Sequence, residues 1–161
     1  MTGAGMKPVG VGILGAAHAH AGMYCARWRE QTALGVRVVG AWDHDASRAG
    51  AFCGSHGLEA APSAGALLAR RDVDAVVIAS ETSMHAGLVE QAAAAGKAIV
   101  LQKPLALTLA QADIIVNAVR RSRVPFTMAW QMRVDPHNMR IRDLLSGGKF
   151  GRVFMLRRRH C

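Results

Sequence analysis

The residue with the clearest chemical potential in this 161-residue sequence is Lys103, within Leu101-Gln102-Lys103-Pro104-Leu105. It follows the apolar run Ala98–Leu101, and His85 comes shortly after the preceding run, Ala75–Ala79. In open α/β sheets ligands bind beyond the carboxyl ends of the strands, so we expect the two segments to converge on one crevice. A lysine there can donate to a hydroxyl or carbonyl and, when partly desolvated, take part in proton transfer. The alternatives are a surface lysine and, for His85, a polar residue in the first turn of a helix.

A second candidate is the turn Gly12-Ile-Leu-Gly15-Ala16-Ala17-His18, where an apolar strand passes into a helix. In dinucleotide-binding folds the first glycine of such a turn allows a tight bend, and the second lets a pyrophosphate approach the backbone at the helix N-terminus. Gly15 suits the first role, whereas Ala17 and His20 stand where the second and third glycines belong. The alternative is a turn that needs Gly15 only for its backbone angles.

An acidic residue, Asp43, ends the apolar run Val36–Trp42 and stands 28 positions after Gly15. A carboxylate at the end of the second strand of a dinucleotide-binding fold is placed to hydrogen-bond a ribose. The alternative is a local role beside Asp45, which can cap the following helix. Together with Gly15, we favour the ribose role for Asp43.

Three histidines, His18, His20 and His85, are expected near the same crevice. Three imidazoles would suit zinc, but an i, i+2 pair at a helix start directs its side chains apart. We therefore predict no metal site. Contact with a phosphate or substrate, or a local structural role, remains open for these residues.

Five apolar runs of strand length must position these residues, with helical segments between them: Val9–Leu14, Val36–Trp42, Ala75–Ala79, Ala98–Leu101 and Phe126–Ala129. This alternation predicts an α/β fold with a doubly wound parallel sheet. Predicted helix starts are Asp45, Ser63, Ser83, the capping box Thr108 with Gln111, and Asp135-Pro136; predicted stops include either Gly54 or Gly57, then Arg71, Gly96 and Gly147-Gly148. Residues 152–161 are predicted to form one further strand.

The amino-acid composition indicates which binding partners and which cellular compartment to expect. Twenty basic against eleven acidic residues give a net charge of +9, but no basic stripe with interleaved aromatics and no DNA-binding motif appears, so we predict no nucleic-acid partner. The run Val9–Ala17 is too short to span a bilayer, and we predict no signal peptide or membrane segment. Three cysteines without C-x-x-C spacing favour a reducing cytoplasm.

Taken in order, these segments resemble the N-terminal half of the Gfo/Idh/MocA family of oxidoreductases. The segments that carry the resemblance are Gly12-Ile-Leu-Gly15, Asp43, Ala75–Ala79 with His85, Ala92 to Gly96, Gln102-Lys103-Pro104-Leu105 and Arg133-Val-Asp135-Pro136. The resemblance implies a Rossmann domain over residues 1–125, then a crossover segment and the first strand of an incomplete substrate domain over 126–161. It also implies oxidation or reduction of a sugar, cyclitol or related polyol with NAD, or alternatively NADP, in a homo-oligomeric full-length protein.

The resemblance assigns roles to single residues. Lys103 would hold the reacting substrate oxygen as the catalytic residue, and Pro104 would fix the turn that aims it. Asp43 would bind the adenosine ribose and repel a 2′-phosphate, and the nearby Arg48 could weaken this preference for NAD. The other predicted cofactor contacts are Gly12, Gly15, Ala16, Ala17, His18, Ser80, His85 and Gln102, and the predicted substrate contacts are His20, Lys103 and Arg133.

Four departures from the family pattern matter. Gln102 replaces the usual Glu before Lys-Pro, Ala17 replaces a glycine, and Glu81-Thr82 replaces a Pro-Asn pair. The family's Asp and His motif of the second domain would lie beyond residue 161. We therefore expect a chain that is catalytically incomplete, and the alternative is a non-enzymatic Rossmann module with a binding or regulatory role.

Overall fold

The computed structural model of the protein describes residues 7–157 and 159. Its strands are β1 (Val9–Leu14), β2 (Val36–Trp42), β3 (Ala75–Ile78), β4 (Ala98–Leu101) and β5 (Phe126–Met128). They form one sheet in the order β2-β1-β3-β4-β5, and every neighbouring pair is parallel. This confirms the predicted fold class. From β1 the chain adds β2 on one side of the sheet and then β3, β4 and β5 on the other, so the order of the strands reverses between β1 and β3. The carboxyl edge at that point is where such sheets bind ligands.

Helices cover both faces of the sheet. They are α1 (His20–Glu30), α2 (Ala46–His56), α3 (Ala64–Leu68), α4 (His85–Ala94), α5 (Leu109–Ser122) and α6 (Pro136–Ser146). Alternate strand residues supply two cores: Leu14 and Ile78 pack with α3, α4 and α5, whereas Ile13 and Val77 pack with α1 and α2. Because both faces are buried, the strands read as continuous apolar runs.

Most predicted helix ends are found. The side chains of Asp45, Ser63, Thr108 and Asp135 each accept a hydrogen bond from a backbone N–H of the first turn of the following helix. The Gln111 side chain, however, accepts from the Leu107 N–H, so the reciprocal half of the predicted capping box is absent. Helix α3 ends at Leu68, three residues before the predicted stop at Arg71.

The predicted cap at Ser83 is wrong. Residues Thr82–Met84 form a 3₁₀ turn that leads directly into α4, so Met84 occupies the cap position and no side chain caps this helix. A helix that continues from a preceding turn has part of its first N–H groups satisfied by that turn. The predicted stop near Gly96 is found, with Gly96 at a φ of +69°.

Contacts divide the chain into a unit that ends at Ala129 and a second unit that begins at Trp130. Because β5 pairs with β4, a boundary after residue 125 would separate the last strand from its sheet. The second unit contains a 3₁₀ turn, Gln131–Arg133, and helix α6, which has no buried residue.

The predicted final strand is wrong for the described residues of that segment. Residues 152–157 and 159 have no regular secondary structure and are exposed. A strand is stabilised by hydrogen bonds to a neighbouring strand, and these residues pair with none in the part of the chain that the structure describes. None of the described helices has both the length and the apolar character needed to cross a bilayer.

Candidate functional site

The turn between β1 and α1 is built around Gly15. Its φ is +85°, and a Cβ at this position would lie 2.4–2.5 Å from the Cα, Cβ and N atoms of Ser80, which follows β3 closely in the chain. The Gly15 N–H donates to the Trp42 carbonyl at 2.7 Å, and the His18 N–H donates to the Ala79 carbonyl at 3.0 Å. The turn therefore lies directly over the carboxyl ends of β2 and β3, and only glycine fits there.

Two backbone donors of this turn are available for an anion. The Ala16 N–H donates to Asp43 and the His18 N–H to Ala79, but among the described residues no acceptor pairs with the N–H groups of Ala17 and Ala19. Helix α1 begins immediately afterwards and adds the positive end of its dipole. These features fit a phosphate or pyrophosphate group. Gly12 lies deeper, within β1, where a Cβ would press on the Leu67 side chain at 3.1 Å.

Asp43 has a fully buried side chain that accepts four hydrogen bonds. Oδ2 accepts from the Ala16 N–H at 2.7 Å and from Arg48 Nε at 2.8 Å; Oδ1 accepts from the Asp45 N–H at 2.9 Å and from Arg48 Nη2 at 2.8 Å. Burial alone would raise the pKa of Asp43, but these hydrogen bonds outweigh it and the net pKa is lowered. A ribose hydroxyl can bind this carboxylate only by replacing an Arg48 donor.

Arg48 also joins the ends of β2 and β3. Its Nη2 donates to Glu81 Oε1 at 2.7 Å, and His44 lies close to the Asp43 and Glu81 carboxylates. The hydrogen bonds that Arg48 donates to Asp43 and then to Glu81 raise the pKa of the guanidinium, which is permanently charged. Two carboxylates and one guanidinium thus stand where a ribose was expected, and sequence reasoning had not placed Glu81 there.

Lys103 lies beside the glycine turn. Its Nζ is 3.2 Å from Nε2 of His18, and both side chains are partly buried. Burial is the main reason why the pKa of His18 is lowered, and His20, Lys103 and His85 lower it further. Lys103, after β4, therefore meets the turn after β1. The two segments predicted to converge, one after β3 and one after β4, also meet, because Nδ1 of His85 lies 3.2 Å from the Leu105 carbonyl.

Gln102 is completely buried and ties β4 to α1. Its Nε2 donates to the Tyr24 hydroxyl at 2.8 Å and lies 3.3 Å from Nδ1 of His20, while Oε1 has no partner among the described residues. Tyr24 was not among the predicted site residues, although it stands four positions after His20 and so shares its helix face. A buried acceptor without a partner at this edge leaves one hydrogen-bonding position for a ligand.

His85 supplies a second buried position of this kind. The residue is 1% exposed, its Nδ1 lies 3.2 Å from the Leu105 carbonyl, and its Nε2 has no partner in the described part of the chain. Ser80 is also buried, and its hydroxyl donates to the Glu81 carbonyl at 3.2 Å. Arg133 belongs to the second unit and is exposed within the turn Gln131–Arg133. Residues 7–157 and 159 contain no cluster of three or more His, Cys, Asp or Glu side chains that could hold a metal.

Comparison with known proteins agrees with this geometry. Residues 9–129 match the Gfo/Idh/MocA family, described as an oxidoreductase family with an NAD-binding Rossmann fold. The inositol 2-dehydrogenase of Rhizobium meliloti is 34% identical over 121 residues, which are 75% of this chain and 36% of that protein. The D-apiose dehydrogenase of Paraburkholderia graminis is 35% identical over 147 residues, which are 91% of this chain and 37% of that protein.

Among solved structures, the biliverdin reductase of Synechocystis, in complex with biliverdin and NADP+, is similar with a TM-score of 0.73 and 29% identity. The match covers 91% of this chain and 45% of that one. The chain therefore spans less than half the length of these three relatives. The parallel sheet, the glycine turn and the match over residues 9–129 together show that the chain belongs to the Gfo/Idh/MocA oxidoreductase family and carries its NAD-binding Rossmann domain.

Proposed function

We propose that this chain is the cofactor-binding part of a dehydrogenase that oxidises or reduces a CH–OH group of a sugar, cyclitol or related polyol. The observation that carries the proposal is Lys103, which follows β4 and the buried Gln102 at the carboxyl edge of the sheet, with its Nζ 3.2 Å from Nε2 of His18. The inositol and apiose dehydrogenases among its relatives support this substrate class. The remaining part of the active site would come from a second domain.

Each site residue has a distinct proposed task. The free N–H groups of the turn after Gly15 would hold the pyrophosphate, and Asp43 would bind the adenosine ribose. Bound NAD supplies a hydride acceptor. Lys103 would bind the substrate oxygen and exchange its proton, an interaction strongest in the transition state. His85 and Gln102, each with an unpaired buried polar atom, would contact the cofactor, and His20 and Arg133 are proposed on the substrate side.

We propose a preference for NAD(H) over NADP(H). A 2′-phosphate would meet the carboxylates of Asp43 and Glu81, and the single guanidinium of Arg48 is already hydrogen-bonded to both. Titration calorimetry of the chain with NADH and NADPH tests this, and tighter binding of NADPH would contradict it.

Lys103→Met in the extended protein tests the catalytic assignment. It should lower turnover by roughly 10²–10⁴-fold, the usual scale of acid–base contributions, and leave NADH affinity nearly unchanged. Turnover of Lys103→Met close to the wild-type rate would show that Lys103 is a surface lysine without a catalytic role. Tight NADH binding without turnover on any polyol would favour the alternative of a non-enzymatic binding module.

Partners and compartment complete the proposal. The partner is a small polyol or sugar rather than nucleic acid or membrane, and the full-length protein is proposed to be a homo-oligomer. Cys25 and Cys53 are free and buried, and burial raises the pKa of the Cys25 thiol to about 11. Unpaired thiols support a reducing compartment, for which we propose the cytoplasm.

A further inference from the structure

The guanidinium of Arg48, in the first turn of α2, has donors that no carboxylate uses. Nε donates to Asp43 at 2.8 Å, and Nη2 donates to both Asp43 at 2.8 Å and Glu81 at 2.7 Å. No acceptor pairs with Nη1 among the residues that the structure describes, and the side chain is 31% exposed. Because Nη1 carries two N–H groups, Arg48 can still bind an oxyanion such as a phosphate.

The charges around this guanidinium decide whether a phosphate is accepted. Asp43 is completely buried and accepts two hydrogen bonds from Arg48, so these two side chains form a neutral pair. Glu81 adds a second carboxylate, and two negative charges against one positive charge leave one negative charge in excess. No lysine or other arginine forms an ion pair with Glu81 in the described part of the chain. The excess negative charge at this site therefore comes from Glu81.

The fold of its own segment does not account for the Glu81 side chain. Glu81 stands at the cap position of the 3₁₀ turn Thr82–Met84, yet its side chain makes no capping hydrogen bond to that turn. Oε1 accepts from Arg48, whereas Oε2 is buried without a hydrogen-bond partner among the described residues. A buried oxygen without a partner costs free energy, so stability alone does not explain this carboxylate. Its clearest effect is on the charge of Arg48.

We propose that Glu81 determines cofactor specificity at this site, because its charge on Arg48 excludes a ligand with a 2′-phosphate. The inference rests on the proposed function, which puts the adenosine ribose at Asp43, and it names the residue that sets the preference for NAD(H). Asp43 is balanced by Arg48 and does not exclude the phosphate by itself. Without the charge of Glu81, the neutral pair and its two free Nη1 donors accept NADP(H).

Titration calorimetry of the chain with NADPH and NADH tests this inference through affinities, without turnover. The titrations are run at pH 8, where histidine is uncharged, because His44 lies 3.6 Å from Glu81. Glu81→Gln keeps the shape and removes the charge. It should tighten NADPH binding by at least about five-fold and change NADH binding by less than about two-fold, because only NADPH brings a phosphate to this charge. Glu81→Asp keeps the charge and should keep the wild-type ratio of the two affinities.

Glu90→Gln is the matched control, because it changes the net charge by the same amount at an exposed position of α4. It should alter neither affinity. If Glu81→Gln leaves the ratio of NADPH to NADH affinity at the wild-type value, or if Glu81→Asp shifts it as far as Glu81→Gln does, the inference is overturned and the proposed function stands. If the wild-type chain binds neither cofactor, both are overturned.

Discussion

At the residue scale, Gly15 has the strictest requirement in the site. An alanine there would place its Cβ 2.4–2.5 Å from Ser80 atoms and would hold a φ of +85°. We expect Gly15→Ala to destabilise the fold by about 3 kcal/mol or more, because both the clash and the backbone strain must be relieved. Thermal unfolding followed by circular dichroism measures this loss, and NADH titration should show weaker binding.

Gly50 offers a matched control for that substitution. It lies within α2, and a Cβ added to it meets no atom within 4 Å. Gly50→Ala should raise stability by up to about 1 kcal/mol through helix propensity. If Gly15→Ala unfolded at the same temperature as Gly50→Ala, the proposed close packing of the turn on Ser80 would be wrong.

The ionisation of Asp43 makes the stability of the fold depend on pH. The pKa of Asp43 is lower in the folded chain than the unfolded value of about 3.9. The stabilisation that its carboxylate adds to the free energy of unfolding is therefore complete above that pH. The contribution is lost as pH falls through the lower, folded pKa. Asp43→Asn should therefore cost about 3 kcal/mol at pH 7, leaving Arg48 partly unpaired, and the difference from the wild type should shrink below pH 4.

Urea unfolding at pH 7 and pH 3 measures this difference. Asp113→Asn is the control, because Asp113 is exposed on α5 and accepts no hydrogen bond from a side chain in the described chain. A cost of Asp43→Asn that did not change between the two pH values would show that the effect comes from shape rather than charge.

At the element scale, α5 depends on its N-terminal cap. Oγ1 of Thr108 accepts the Gln111 N–H at 3.2 Å, and no acidic residue stands in the first turn to replace it. Thr108→Ala should lower the free energy of unfolding by about 1 kcal/mol. Denaturant titration checks the value, with Ser47→Ala, an exposed helix position, expected to cost nothing. Equal effects of the two substitutions would contradict the capping role.

At the scale of the whole molecule, all buried apolar residues among those described precede Ala129. The last of them is Ala118, and α6 buries none. Since burial of apolar surface is the main stabilising contribution, a chain that ends at Ala129 should unfold cooperatively within about 2 °C of the full chain. It should also bind NADH equally well. Calorimetric unfolding and NADH titration measure both, and loss of cooperativity would show that the second unit supports the sheet.

The sequence by itself determined where the strands lie, that the sheet is parallel, and the caps at Asp45 and Thr108. Periodicity and capping depend on neighbours within a few positions, so they can be read along the chain. It also predicted that Gly15 and Lys103 lie just after the carboxyl ends of strands, and they follow β1 and β4. Local patterns were insufficient at Ser83, where a 3₁₀ turn precedes the helix, and in residues 152–157, which pair with no strand among the residues that the structure describes.

Only the tertiary structure decided how the site residues meet. His18 and Lys103 are 85 positions apart, and Arg48 and Glu81 are 33 apart. The Asp43 carboxylate was expected to be open to a ribose, but Arg48 and two backbone N–H groups already occupy its oxygens. Hydrogen bonds of this kind depend on which strand ends the sheet brings side by side, and the spacing of residues along one chain does not contain that information.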